Sequence, residues 1–553
     1  MLRISPKSFV AFCSGQRSPQ SINIYKYTIS RYIHTPAPKL ATAMSSPKPV
    51  LIAGAGPTGL MAALWLSRLK TPFRIVDKHA FAANTSRATV VHARTLEYYR
   101  MLGLSDRAVS EGRVIEYLTF LSNRKQVVNR HFSEIGGDIS NFPFVLVYPQ
   151  DLNEQLMIGE LESSGVKVER EIEVTDLTQR DDGVAVSLKN KDGHMEEFEA
   201  SYVLGCDGGH STVRTHTSIK SSPGTYSQRF FVADVEAEVS IGLRNVNICF
   251  NAEDFCLLFA MPNGRIRLVG WAPDEVTTEN FTFADVEESV KRNSGANITK
   301  VHWFSTYKVH HGVAETFRDG RVFICGDAAH VHSPVGGQGM NTGLGDATNL
   351  AWKIAAVLAD KAAPDILDTY QEERRPFAER LVNTTDKSFT IATDKGLMGK
   401  AWRTIVIGNI APLLFQFGFL DTIMFQTVSQ VRIDYIQSAM SDKNYAGTLY
   451  AGERLPWVKF EDGTDNFQPL TALNWQIHVY GTLDVEVKEW ASQNNIALQN
   501  FPFNENMKSK RIPENSMILV RPDGYIGQLF QGPTKDSLHK LQSFVDKWGI
   551  KSF

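Results

Sequence analysis

The sequence predicts an α/β chain in which a parallel-sheet domain is split by a β-rich insert and followed by a smaller α/β domain. Three observations carry that prediction. The stretch PVLIAGAGPTGLMAALWLSRLKTPFRIVDK, ending at Lys78, reads as a strand, a glycine turn, a helix with apolar spacing and a second strand closing at Asp77. Strand-like runs that stop at an aspartate return in YVLGCD (202–207) and RVFICGD (321–327). Between them, residues 226–305 alternate short runs such as RFFVADVEAEV, CLLFAMP and RIRLVGWA with turn residues, as an inserted sheet does.

At 553 residues the chain is too long for one core, and typical domain sizes suggest roughly three to four units. The expected boundaries are a leader at 1–47, the parallel-sheet domain at 48–225, the insert at 226–305, the rest of that domain with its following helices at 306–441, and a terminal domain at 450–553. A net charge of -2 leaves no electrostatic footprint for nucleic acid. The five cysteines form an odd set without a C-x-x-C pair, so neither a disulfide framework nor a metal site is expected, and a reducing compartment fits.

The first 49 residues carry Arg3, Lys7, Arg17, Lys26, Arg31, Lys39 and Lys48, while the first acidic residue of the chain is Asp77. That is transit-peptide composition. Translated residues 1–43 acting as a transit peptide would direct the chain to mitochondria; initiation at Met44, or a leader without targeting function, leaves it cytoplasmic. After a strand-like run at 142–149, a helix is expected from Asp151 to about Ser164, and another over 343–360. Residues 404–420 are uncharged but hold Asn409, Pro412 and Gln416, so a buried or subunit-facing helix is expected there and no transmembrane segment. In the last hundred residues NWQIHVYG reads as a strand, DVEVKEWASQN as a helix, MILVRPDGYIGQLF as a hairpin and TKDSLHKLQSFVDKWG as a closing helix. That order resembles a thioredoxin-like fold, although no cysteine follows Cys325 and its redox chemistry is therefore excluded.

Gly54, Gly56 and Gly59 form G-x-G-x-x-G between strand and helix, a Rossmann-like fingerprint with Asp77 and Lys78 about twenty residues on. The glycines permit a tight turn and close approach of backbone to a diphosphate at the positive helix N-terminus; the carboxylate accepts from an adenosine ribose. Dinucleotide binding is the consequence.

With YVLGCDGGHSTVR (202–214) and RVFICGDAAHVHSPVGGQGMNTG (321–343) following in that order, the chain resembles the flavoprotein aromatic hydroxylases, which include para-hydroxybenzoate hydroxylase and phenol hydroxylase. The resemblance covers nearly all of residues 48–553 and implies FAD as cofactor. It places Asp207 beside the pyrophosphate, and Asp327 on the ribityl hydroxyls. The loop Pro334 to Gly339 would lie along the isoalloxazine edge, where backbone N–H groups of Gly336, Gly337 and Gly339 face the flavin N1 and C2 carbonyl ahead of Met340 and Asn341. Fixed N–H dipoles there stabilise the negative charge of the reduced ring. In SRATVVHARTLEYYRMLGL (86–104), Arg87 matches an arginine near the FAD phosphates, and Gln150 matches a glutamine near the flavin. One departure is Thr89, which stands near the position of an aspartate assigned to phenol activation in phenol hydroxylase; the pattern is closer to the polyketide-type hydroxylases.

The chemistry so implied is reduction of FAD by NAD(P)H, capture of O2 as a flavin C4a-hydroperoxide, and oxygen transfer to a phenolic or polyketide-like small aromatic substrate in a pocket closed to water. His92 is the leading candidate for a catalytic base, with a packed or solvated histidine as the alternative. Arg267 could steer an anionic substrate or be a solvated strand charge. Two other functions remain in play: a halogenase-like FAD oxidoreductase, although the W-x-W-x-I-P signature is absent, and a non-catalytic flavin-binding assembly component. The terminal domain could also serve a homodimer.

Overall fold

The computed structural model describes residues 48–82, 88–239, 242, 244–251, 255–272, 281–333, 335–393 and 419–553. The leader, Arg87, Pro334 and most of the 404–420 segment lie outside the described residues. Among the described residues, no helix is long and apolar enough to cross a membrane.

Strand β1 (Val50–Ala53) enters the glycine turn, and helix α1 (Pro57–Arg68) leaves it with Pro57 in its first turn, where a missing N–H costs nothing. Strand β2 (Phe73–Asp77) follows, then helix α2 (Ala93–Leu102), whose N-cap is His92. Far along the chain come β3 (Val203–Gly205) and β4 (Val322–Ile324), and then α3 (Gln338–Leu358) and α4 (Thr369–Thr393). The sheet runs Arg318–Asp319, β4, β3, β1, β2, Glu169–Arg170, with β4, β3, β1, β2 and Glu169–Arg170 parallel and Arg318–Asp319 antiparallel to β4. Helices cover it, so β1, β3 and β4 are buried throughout; this explains why they read as unbroken apolar runs rather than alternating ones. Helix α3 is buried on nearly every face and packs on α1.

The inserted sheet has eight strands in the order His330–Val331, Asn297–Val313, Gly224–Glu238, Ile266–Trp271, Phe255–Ala260, Asn245–Phe250, Tyr117–Ser122, Lys125–His131. It is larger than the expected 226–305. Tyr117–Ser122 joins it through parallel pairing with Asn245–Phe250, a contact across more than a hundred residues that no local pattern reports. The run at 142–149 supplies Val145–Val147, which sits in a separate three-stranded antiparallel sheet rather than the parallel one.

In the last hundred residues Gln476–Tyr480 pairs in parallel with Ala497–Phe501 and antiparallel with Ser516–Val520, which pairs with Ile526–Gln531. Helices Val485–Gln493 and Lys535–Trp548 stand where a helix was expected, with a short helix Glu505–Ser509 added. This region is not set apart from the rest: Pro47–Phe553 pack as one unit, because its hairpin is bonded into the helices behind the parallel sheet.

Candidate active site

Three chain segments meet at one sheet edge. Parallel register aligns Ala53 with Gly205, and Gly205 with Ile324, so the turns that follow β1, β3 and β4 leave side by side. In open α/β sheets the carboxyl ends of adjacent strands are where ligands bind. The three glycines of the first turn do different work. Gly54 has φ +100°, and a Cβ there would lie 2.4 Å from the Cys206 carbonyl oxygen, so the first turn is pressed directly against the second. A Cβ on Gly59 would lie 1.9 Å from the Gly54 carbonyl oxygen, which closes α1 onto the turn. A Cβ on Gly56 would meet no atom of the described residues within 4 Å beyond its own chain neighbours. That face is bare at the N-terminus of α1.

Asp77, at the end of β2, accepts from the backbone N–H of Ala55 at 2.7 Å and of His79 at 2.8 Å, with Arg170 3.7 Å away. Gly54, Gly56, Asp77, Lys78 and Asp207 all line one cavity of about 220 Å³. Asp207 Oδ2 accepts from the Val213 N–H at 3.0 Å, while its Oδ1 is buried with no hydrogen-bond partner among the described residues.

After β4, Gly326–Ala328 make a short helical turn that leaves the Asp327 side chain exposed between buried neighbours. Its backbone is held from behind by Asp346 of α3, which accepts from the Gly326 N–H at 3.0 Å, His330 Nε2 at 2.7 Å and Arg374 Nε at 2.7 Å. Burial opposes ionisation of Asp346, but Arg374 and His330 outweigh it and hold the carboxyl below the usual range. Sequence reading passed over Asp346; the signal was a carboxylate inside an otherwise apolar helical stretch.

The glycine loop leads into α3. Gly336 and Gly337 have φ of +77° and +62°, and a Cβ on Gly337 would meet Val90 Cγ2 at 2.1 Å. Asn341 fixes the loop with all four of its hydrogen-bonding positions. Its Oδ1 accepts from the His92 N–H at 2.9 Å and Thr95 Oγ1 at 2.8 Å, and its Nδ2 donates to the carbonyls of Val90 at 3.0 Å and Gly337 at 2.9 Å. Met340 Sδ accepts from Asn153 Nδ2 at 3.4 Å, and Gly339 has only the His332 ring near its Cβ position, at 3.9 Å. Gln150 begins the helix Gln150–Ser163, with its N–H on the Ala88 carbonyl and its amide on Glu154.

This bare turn, these strand-end carboxylates and this loop lie within the span, residues 48–385, matched by the family model described as FAD binding domain. The chain belongs to the FAD-dependent aromatic hydroxylase family. It is 35% identical to 6-methylpretetramide 4-monooxygenase of Streptomyces rimosus over 61% of this chain and 60% of that relative. To pentachlorophenol 4-monooxygenase of Sphingobium chlorophenolicum it is 30% identical, over 88% of this chain and 87% of the relative. Among solved structures, the anhydrotetracycline hydroxylase OxyS of Streptomyces rimosus aligns with TM-score 0.71 at 28% identity, covering 91% of this chain and 99% of that one.

Two candidate side chains are packed into the fold of this hydroxylase. His92 is buried, and its Nε2 lies 2.8 Å from the Gly336 carbonyl, an acceptor, so Nε2 carries the proton and donates. Burial pushes its pKa down to about 4, with the carbonyls of Gly336 and Gly337 opposing. It holds the loop through that bond, the place the packed-histidine alternative gives it. A His92→Asn variant is therefore expected to show the wild-type shape of rate against pH between about 6 and 9, where an essential base would add an inflection. Arg267 is not a solvated strand charge: it is buried, forks onto both oxygens of Asp234 at 2.7 Å, and donates to Thr89 Oγ1 at 2.6 Å. The antiparallel register opposes Asp234 to Arg267, and that pairing is invisible locally.

Proposed function

We propose that this FAD-dependent monooxygenase hydroxylates a polysubstituted or fused-ring phenol of polyketide type, with FAD held by the three strand ends. The observation that carries the reading is the convergence of the bare Gly56 turn, Asp207 and Asp327 on adjacent parallel strands. The residues fit the cofactor. The Gly56 turn and the α1 N-terminus would take the diphosphate, Asp77 and Lys78 the adenosine end, and Asp327 the ribityl chain. The unpartnered Asp207 Oδ1 offers one more acceptor beside that turn. Arg87 and Gln150 are proposed near the phosphates and the ring, and the Pro334–Asn341 segment along the ring edge. Bound FAD supplies the electron-carrying and O2-activating chemistry that no side chain offers, with NAD(P)H as the family's electron donor.

The chain's own task is placement and exclusion of water. The inserted sheet reaches the loop directly, because Val331 and His330 pair with Gly312 and Val313 of its long edge-side strand. Thr89 and Arg267 tie the same sheet to the segment leading into α2. The substrate is proposed to lie between sheet and loop, and Thr89, bonded to Arg267, leaves no carboxylate at that position to activate a simple phenol. Kinship with the tetracycline-type hydroxylases supports the larger ring system.

The test is a panel of simple phenols and fused-ring phenols, following NAD(P)H and O2 consumption and identifying products by mass spectrometry. Hydroxylated fused-ring products are expected. A protein that holds FAD but consumes neither co-substrate with any aromatic compound would favour a non-catalytic flavin-binding role, and preference for simple phenols would refute the substrate class.

A further inference from the structure

The family match ends at residue 385, yet the turn at residues 521–525, far beyond it, is bonded into the helices that carry the glycine loop. We propose that this turn is a positioning device for the ring-edge loop, so that the C-terminal region is part of the flavin site. The inference rests on FAD lying against that loop.

Helix α3 starts at the loop, with Gly337 as its N-cap, and α2 starts at His92, which holds the Gly336 carbonyl. Asn341 joins the two helix starts to each other. The same two helices are then gripped together by the distant turn. Asp523 Oδ2 accepts from Trp352 Nε1 of α3 at 3.1 Å, and the Asp523 carbonyl accepts from Arg94 Nη2 of α2 at 2.8 Å. Arg521 forks onto Glu373 of α4 at 2.7 and 2.9 Å, and Glu373 also accepts from Asn349 at 2.6 Å and Lys353 at 2.8 Å, both on α3. Arg521 closes the turn itself by donating to both oxygens of Asp523.

These side chains are buried, and the positive charges of Lys353 and Arg521 balance the negative charges of Glu373 and Asp523. In such a site no water stands ready to replace a lost partner, so sliding α3 past α2 breaks charged hydrogen bonds outright. From Gln338 to Trp352 the helix is a rod of roughly 21 Å at 1.5 Å per residue, and it carries any shift at the turn back to the loop. Arg521 and Asp523 thus act on the ring edge through α3 and α2, as positioning residues.

The test uses the full-length protein loaded with FAD, comparing Arg521→Met and Trp352→Phe with Leu541→Ala, which opens a cavity in the C-terminal core on the Lys535–Trp548 helix. The readouts are melting temperature, FAD dissociation constant, visible circular dichroism of the bound flavin, and the fraction of reducing equivalents lost as hydrogen peroxide. Arg521→Met is expected to weaken FAD binding roughly tenfold, alter the flavin dichroism and raise peroxide release. Leu541→Ala is expected to lower the melting temperature and leave the flavin readouts unchanged. Should Arg521→Met not fold, Trp352→Phe decides, since it removes one N–H and no charge; it is expected to alter the dichroism and the peroxide fraction. Flavin readouts like wild type in the folded variants, or equal changes in Leu541→Ala, would overturn the proposal. Wild-type protein that takes up no FAD would instead remove the site on which it rests.

Discussion

Gly56→Ala is expected to fold and melt as wild-type protein does in the absence of cofactor, and to lose most of its FAD affinity. The Gly56 backbone is not left-handed, with φ -77°, and beyond its chain neighbours no atom of the described residues stands within 4 Å of the new methyl, so the fold has no reason to move. The methyl occupies the space a diphosphate needs to reach the N–H groups at the start of α1. Losing charge-assisted hydrogen bonds of that kind costs about 2–3 kcal/mol, a weakening of roughly 100-fold. Calorimetry of the apoprotein together with an FAD titration measures both halves. Gly59→Ala is the contrasting case: a Cβ 1.9 Å from the Gly54 carbonyl oxygen forces α1 off the turn, so the apoprotein itself should be destabilised.

The second large effect is expected at Asp346. Asp346→Leu leaves Arg374 buried without its carboxylate and strips His330 and the Gly326 N–H of their acceptor. Removing one partner from a buried ion pair costs about 3–5 kcal/mol, to be read from urea unfolding. The pH dependence has a definite sign. The Asp346 carboxyl is held below its usual range in the folded chain, against burial, by Arg374 and His330. Glu373 is likewise held down, against burial, by Arg521 and Lys353. Their contribution is therefore fully present above the unfolded carboxyl values, near pH 4, and fades as pH falls through the depressed folded values. Asp346→Asn should flatten the acid limb of the stability curve relative to wild type, and an unchanged limb would contradict this.

How far the sequence carries can be seen residue by residue. Gly54, Gly56, Asp207 and Asp327 were legible because each lies where a buried strand stops, and an unbroken apolar run ending in glycine or aspartate is a local signal. The closing hairpin and helix were legible for the same reason: their periodicity and turn chemistry sit within a few residues. What escaped depends on register across long separations. Arg267 looks like an exposed strand cation until the sheet sets it opposite Asp234, and Tyr117–Ser122 looks unattached until Asn245–Phe250 pairs with it. His92 has the residue type of a base, and only the fold shows it buried with Nε2 on a loop carbonyl. The expected boundary near Ser441 rests on a change of local pattern, which says nothing of the charges on Arg521 and Asp523 that fasten the two sides together.

Equilibrium dialysis against FAD, with wild-type protein beside Asp327→Ala, tests most directly whether three strand ends share one cofactor. Wild type should retain one FAD per chain and show the flavin's visible band, while Asp327→Ala should bind more weakly by about 1–3 kcal/mol as ribityl hydroxyls lose an acceptor. A colourless wild type, or an Asp327→Ala protein that keeps its flavin as firmly as wild type, would contradict the account.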